Sequence, residues 1–135
     1  MTRFVFSFLL LIYSCQIFDS NDINVISDAQ LTEILDADYT LIDVRTNEEC
    51  KSGYIKDAIN FDFYSESFQK EILSLDKSLS IILYCRTQNR STKTANFLKE
   101  NGYKNITVLE GGITSWVKNG NDLAHDFSQI KPKEE

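Results

Sequence analysis

With 135 residues, 42% of them hydrophobic and 12% aromatic, the chain has the size and composition of one globular domain and is too apolar to be disordered. Its formal net charge of −6 excludes nucleic acid and anionic membrane surfaces as broad partners, because binding arrays of phosphate takes a basic face. Any anion site has to be local, built from a few residues against an unfavourable global field.

The N-terminus stands apart from the fold. Arg3 supplies a positive start, and residues 4–13 are apolar apart from Ser7. That run is about half of what a bilayer-spanning helix needs and has the length of a signal-peptide core. Its end, Ile12-Tyr13-Ser14-Cys15, resembles the lipobox of bacterial lipoproteins. The resemblance implies a signal peptide and short linker over residues 1–20, lipidation of Cys15, and a lipid anchor in the bacterial periplasm or cell envelope. An ordinary secretory signal cut a few residues later, with Cys15 discarded, suits the same residues. Both predict an exported chain.

From residue 24 onward, short β-rich runs alternate with amphipathic stretches. Val25-Ile26 is a strand candidate, and Ser27 with Gln30 forms a capping-box signature for a helix reaching Leu35. Residues 39–44 make a buried-type strand, after which Thr46 and Glu49 open a second, short helix ending at Gly53. Residues 58–61 are a third strand, and a helix over residues 65–75 places Phe68, Ile72 and Leu75 on one face. Residues 80–84 are the clearest strand. A helix over residues 91–101 follows, with Ala95, Phe97 and Leu98 toward a core and Gly102 as its stop. Residues 106–109 close the strand set, a helix over residues 113–118 ends near Gly120, and residues 121–135 read as a frayed polar tail in which His125 is solvated. The alternation predicts an α/β domain over residues 21–120 with a mainly parallel five-stranded sheet and helices on both faces.

In such folds ligands bind where strand carboxyl ends lead into helix N-termini, a rule that selects Cys85. The thiolate is the nucleophilic form of cysteine. It is favoured here by an anion nest of loop N–H groups, by the dipole of the next helix, and by Arg86 and Arg90. The same cradle, Arg86-Thr87-Gln88-Asn89-Arg90-Ser91, suits a bound oxyanion or a terminal persulfide sulfur. A Cys50–Cys85 disulfide is chemically open in an oxidising compartment, although Cys50 reads better as a packed thiol and Trp116 as core. No Cys-x-x-Cys occurs and His125 is the one histidine, so no metal site and no cofactor are expected.

Residues 85–91 resemble the active-site loop of the rhodanese family, Cys-Arg-Thr-Gly-Asn-Arg-Ser, preceded by a strand ending in Tyr. Leu41-Ile42-Asp43-Val44-Arg45 is similar to that family's Asp-Val-Arg strand end, and residues 48–58 to its Glu-x-x-x-Gly-His-Ile-x-x-Ala segment. Leu109-Glu110-Gly111-Gly112-Ile113, with Trp116, resembles its Gly-Gly turn and last helix. The chain departs from the pattern at Gln88 (commonly Gly), Tyr54 (commonly His) and Lys56-Asp57 (commonly Pro-Gly).

The resemblance implies a sulfurtransferase that carries sulfane sulfur on Cys85 from a donor such as thiosulfate to a thiol acceptor. Residues 86–91 would bind substrate, with Asp43, Arg45 and Glu48 supporting the loop. Two other classes fit the scaffold: a non-catalytic binding or sensing module, and a cysteine-dependent phosphatase or arsenate reductase. Phosphatases of this kind carry arginine six positions after the cysteine, whereas Arg90 lies five after Cys85, a tighter ring that suits sulfur.

Overall fold

The computed structural model describes residues 22–34 and 37–130; the expected export signal, Cys15, Leu35 and residues 131–135 lie outside the described residues. Strands β1 (Asn24–Ile26), β2 (Thr40–Asp43), β3 (Ile59–Asn60), β4 (Ile81–Tyr84) and β5 (Ile106–Leu109) form one sheet in the order β1-β5-β4-β2-β3. Every pairing is parallel, as the strand–helix alternation requires. The helices are α1 (Asp28–Glu33), α2 (Asn47–Lys51), α3 (Phe68–Ile72), α4 (Asn89–Glu100) and α5 (Gly112–Lys118).

All four residues of β4 are buried, which is why its sequence is continuously apolar rather than alternating. Ile81, Leu83 and Cys85 pack with Phe68 and Ile72 of α3 and with Ala95 and Leu98 of α4. Ile82 and Tyr84 point the other way, toward Leu31 of α1, Cys50 of α2, and Ile113 and Trp116 of α5. Helices therefore cover both faces, as expected. The two thiols, both free, belong to opposite faces of the sheet, which rules out the Cys50–Cys85 disulfide.

Both capping boxes form. Ser27 Oγ accepts from Gln30 N at 3.2 Å while Gln30 Oε1 accepts from Ser27 N at 2.9 Å. The reciprocal pair at Thr46 and Glu49 measures 3.2 and 2.9 Å. Helix α4 starts at Asn89, two residues earlier than expected, and stops at Gly102 with φ +90°. Helix α3 is shorter than the expected span over residues 65–75. The Tyr103 hydroxyl donates to the carbonyls of Leu73 and Leu75 at 3.0 and 2.7 Å, fixing the chain after Ile72 in a non-helical path. Asp57 occupies the left-handed region with φ +66°. It stands where the resembling family has Gly, and aspartate is among the few side chains that enter this region.

The segment after Gly120 is not frayed as far as Ile130. Tyr54 and Ala124 exchange backbone bonds at 3.0 and 2.8 Å, the Tyr54 hydroxyl donates to Asp126 O at 2.6 Å, and Asn60 N donates to Ile130 O at 2.7 Å. Ile130 is fully buried beside Leu31 and Trp116. One apolar side chain in a polar run is a weak sequence signal; the segment is held by that burial together with its hydrogen bonds to Tyr54 and Asn60 and the bond from Trp116 Nε1 to Asp122 O at 2.9 Å. His125 is exposed, as expected. Truncating the anchor, Ile130→Ala, should destabilise the fold by about 2–4 kcal/mol, measured as a lower urea midpoint with unchanged slope; a change below about 0.5 kcal/mol would show that the strap is not packed in solution.

Candidate active site

The register Asp43↔Tyr84 brings the carboxyl ends of β2 and β4 side by side, and Val44 N donates to Tyr84 O at 3.0 Å to extend the pairing. Two loops thus emerge together: residues 44–46 leading into α2, and residues 85–88 leading into α4. Tyr84 is wholly buried, its hydroxyl accepting from Ile55 N at 3.0 Å. Cys85 follows it, only 1% exposed, with Sγ 3.5 Å from Ser91 Oγ, so the loop closes upon itself.

What shapes this loop is where its carbonyls go. Cys85 O accepts from Ile113 N at 2.9 Å, and Arg86 O accepts from Thr114 N and Thr114 Oγ1 at 3.0 and 2.8 Å. Gln88 O accepts from Thr92 N at 2.9 Å and Ser91 Oγ at 3.0 Å. With those oxygens held by the first turns of α5 and α4, the backbone N–H groups of residues 86–91 have no acceptor among the described residues. Successive unpaired amides of this kind, at the positive end of a twelve-residue helix, form a cradle for negative charge.

The Gly-Gly turn makes the close approach possible. A Cβ on Gly112, whose φ is +59°, would lie 2.6 Å from Thr87 O and collide with Cys85 O. Gly111 is also left-handed, at φ +67°, and its N–H donates to Gln88 Oε1 at 3.2 Å. Gln88 itself has φ −167°, outside the left-handed region, so its substitution for the usual glycine meets no positive-φ penalty. Its amide instead ties the loop to the turn.

Beneath the loop lies a buried ion pair. Arg45 Nη2 meets Asp43 Oδ2 at 2.8 Å, and the same guanidinium donates to Gly53 O at 2.7 Å and Glu49 O at 3.3 Å. Burial opposes the Arg45 charge, but the carboxylate of Asp43 outweighs it and raises the Arg45 pKa. Asn60 Nδ2 donates to the carbonyls of Asp43 and Arg45, both at 2.9 Å, locking this corner. Cys50 is buried and its thiol donates to Asp43 Oδ2 at 3.4 Å. Burial, reinforced by Asp43, pushes its pKa up, so Cys50 is a packed thiol and not a nucleophile.

Arg90 does not present a free guanidinium. Its two terminal nitrogens donate to the two carboxylate oxygens of Glu49 at 2.7 and 2.8 Å, and its face lies 5.7 Å from the Tyr64 ring centroid. The Arg90 hydrogen bond holds the Glu49 carboxyl at about 2, well below the usual range. The expectation for Glu48 is corrected here: Glu48 sits on the solvent face of α2, paired with Lys51, and does not reach the loop. Its neighbour Glu49 does. The signal was available, since the Glu-x-x-x-Gly spacing to Gly53 falls on Glu49. Of the remaining loop side chains, Arg86, Thr87 and Asn89 are exposed, Gln88 is half-buried and Ser91 is buried. Among the described residues no group of His, Cys, Asp and Glu is placed to hold a metal.

Adding one methyl group at Gly112 tests this geometry. Gly112→Ala should cost about 1–3 kcal/mol of stability through its left-handed backbone and the clash with the loop carbonyls, and should lower alkylation of Cys85 by an anionic reagent more than by a neutral one. Alkylation rates equal to wild type would show that the turn does not shape the cradle.

The model of the rhodanese-like domain matches residues 27–119. Over 62% of its length the chain is 30% identical to a sulfurtransferase of Allochromatium vinosum, covering 76% of that protein. It is 35% identical to YtwF of Bacillus subtilis, provisionally named a sulfurtransferase, over 70% of this chain and 91% of that one. The crystal structure of a rhodanese-related protein from Thermoplasma volcanium superposes with a TM-score of 0.69 at 31% identity, covering 76% of this chain and 99% of that chain. Together with the parallel sheet and the loop after β4, these matches establish that the chain belongs to the rhodanese-like domain family.

Proposed function

We propose that this protein is a sulfurtransferase that carries sulfane sulfur as a persulfide on Cys85. The observation that carries the reading is the cradle: a buried thiol at the head of a closed loop whose amides, residues 86–91, are left without acceptors among the described residues. In the first step the Cys85 thiolate attacks the outer sulfur of a donor such as thiosulfate, the donor S–S bond breaks, and sulfite leaves with the electron pair. In the second, an acceptor thiolate attacks the terminal sulfur and Cys85 departs as thiolate. The terminal persulfide sulfur is anionic in the intermediate, and preorganised N–H groups would stabilise it without rearrangement. The buried Ser91 hydroxyl, 3.5 Å from Sγ, supplies one further polar contact.

The arrangement favours sulfur over phosphate. Transfer of a phosphoryl group concentrates charge on several oxygens and calls for a guanidinium clamp, whereas the loop arginine of this chain is already paired with Glu49. Sulfurtransferase names among the relatives support the same direction. Residues 1–20 place this chemistry, on our reading, in the bacterial cell envelope, tethered through lipidated Cys15, with a small sulfur compound as donor and a thiol as acceptor.

Incubation of the reduced protein with thiosulfate should add the mass of one sulfur atom to the intact chain, and cyanide should remove it as thiocyanate. The adduct should be absent from Cys85→Ser. No mass gain in the wild type, or a gain that survives the substitution, would overturn the proposal.

A further inference from the structure

Glu49 and Arg90 come from different parts of the chain and meet beside the loop. Both carboxylate oxygens are engaged by both terminal nitrogens, and the two side chains are only 29% and 14% exposed, so the pair is not a screened surface contact. Glu49 is also fixed from behind. Its Oε2 accepts from Thr46 N at 2.9 Å within the capping box, and its carbonyl accepts from the buried Arg45. The carboxylate is thus preorganised on Arg90 and has no slack to follow if the guanidinium turns elsewhere. Arg86 is exposed and makes no ion pair among the described residues, and the amides of residues 86–91 have no acceptor among them.

We propose that Glu49 sets the charge selectivity of the Cys85 site: it occupies Arg90 as a built-in anion, so that the loop favours singly charged sulfur and holds dianionic oxyanions only weakly. The inference builds on Cys85 as the nucleophile. A dianion needing Arg90 would have to displace a bidentate, preorganised carboxylate, whereas the single charge of a persulfide terminus can be met by the amides. The donor class this selects is a low-molecular-weight persulfide. Its transfer balances as Cys85–S⁻ with R–S–SH giving Cys85–S–SH and R–S⁻, one S–S bond breaking and one forming, with no external oxidant. Thiosulfate, a dianion, remains a donor but one that works only at high concentration. Glu49 is a positioning residue, acting through Arg90.

Paired alkylation rates test this without reference to turnover. Iodoacetate and iodoacetamide attack the same sulfur and differ in charge, so their rate ratio at Cys85 reads the local field independently of thiol reactivity. Glu49→Gln keeps a residue that suits the capping box and removes the charge. It should raise the iodoacetate-to-iodoacetamide ratio roughly tenfold, the size of effect expected from one charge a few ångströms away. Inorganic sulfate should protect that variant at correspondingly lower concentration. Adding Arg90→Gln should abolish the gain. A ratio unchanged in Glu49→Gln, or a gain that persists without Arg90, would overturn the proposal. An altered ratio in a protein that forms no persulfide from any donor would leave the selectivity standing and remove the sulfur-transfer reading alone.

Discussion

The hydrogen bond from Ile113 N to Cys85 O, with its neighbours from Thr114 to Arg86 O, is the constraint on which the rest of the site depends. A backbone segment has donors and acceptors in fixed alternation, so holding the oxygens on one side commits the N–H groups to the other. Here the oxygens are held by the first turn of α5, whose own N–H groups would otherwise lack partners. One contact thereby satisfies a helix end and sets the polarity of a loop. It requires Gly112, since any side chain at that position would occupy the space of the loop carbonyls.

A second theme is charge kept in pairs inside an acidic protein. Asp43 with Arg45 and Glu49 with Arg90 each bring opposite charges together near the site, and each pair is also tied to backbone groups. The first is buried and joins β2 to the turn at Gly53. Removing either partner would leave an uncompensated buried charge, a strongly destabilising change. The second sits at the rim, where its function is to take Arg90 out of play as a free cation. The effective field at Cys85 therefore comes from oriented amides rather than from net charge, which reconciles an anion cradle with a chain of formal charge −6.

Local features were legible in the sequence because they rest on neighbours in the chain. Ser27 with Gln30, Thr46 with Glu49, the apolar run of β4 and the stop at Gly102 each depend on spacing of a few residues. Cys85 was legible because a strand end followed by a helix start is a local pattern with a known geometric consequence. What was missed depends on partners far along the chain. Helix α3 is shortened by Tyr103, and the segment through Ile130 is ordered by Tyr54, Asn60 and the core. Glu48 and Glu49 are adjacent acids with equal propensities, separated in the sequence only by the Glu-x-x-x-Gly spacing to Gly53; in the fold, the packing of α2 turns Glu49 to Arg90 and leaves Glu48 to Lys51.

The central claim is that the loop amides, and not a cationic side chain, hold the transferred sulfur. A high-resolution crystal structure of the protein after persulfide loading tests it most directly. The account predicts a terminal sulfur on Cys85 within hydrogen-bonding distance of several N–H groups of residues 86–91, with Arg90 still paired to Glu49. A terminal sulfur directed away from those amides, or contacted by an Arg90 that has left Glu49, would contradict it.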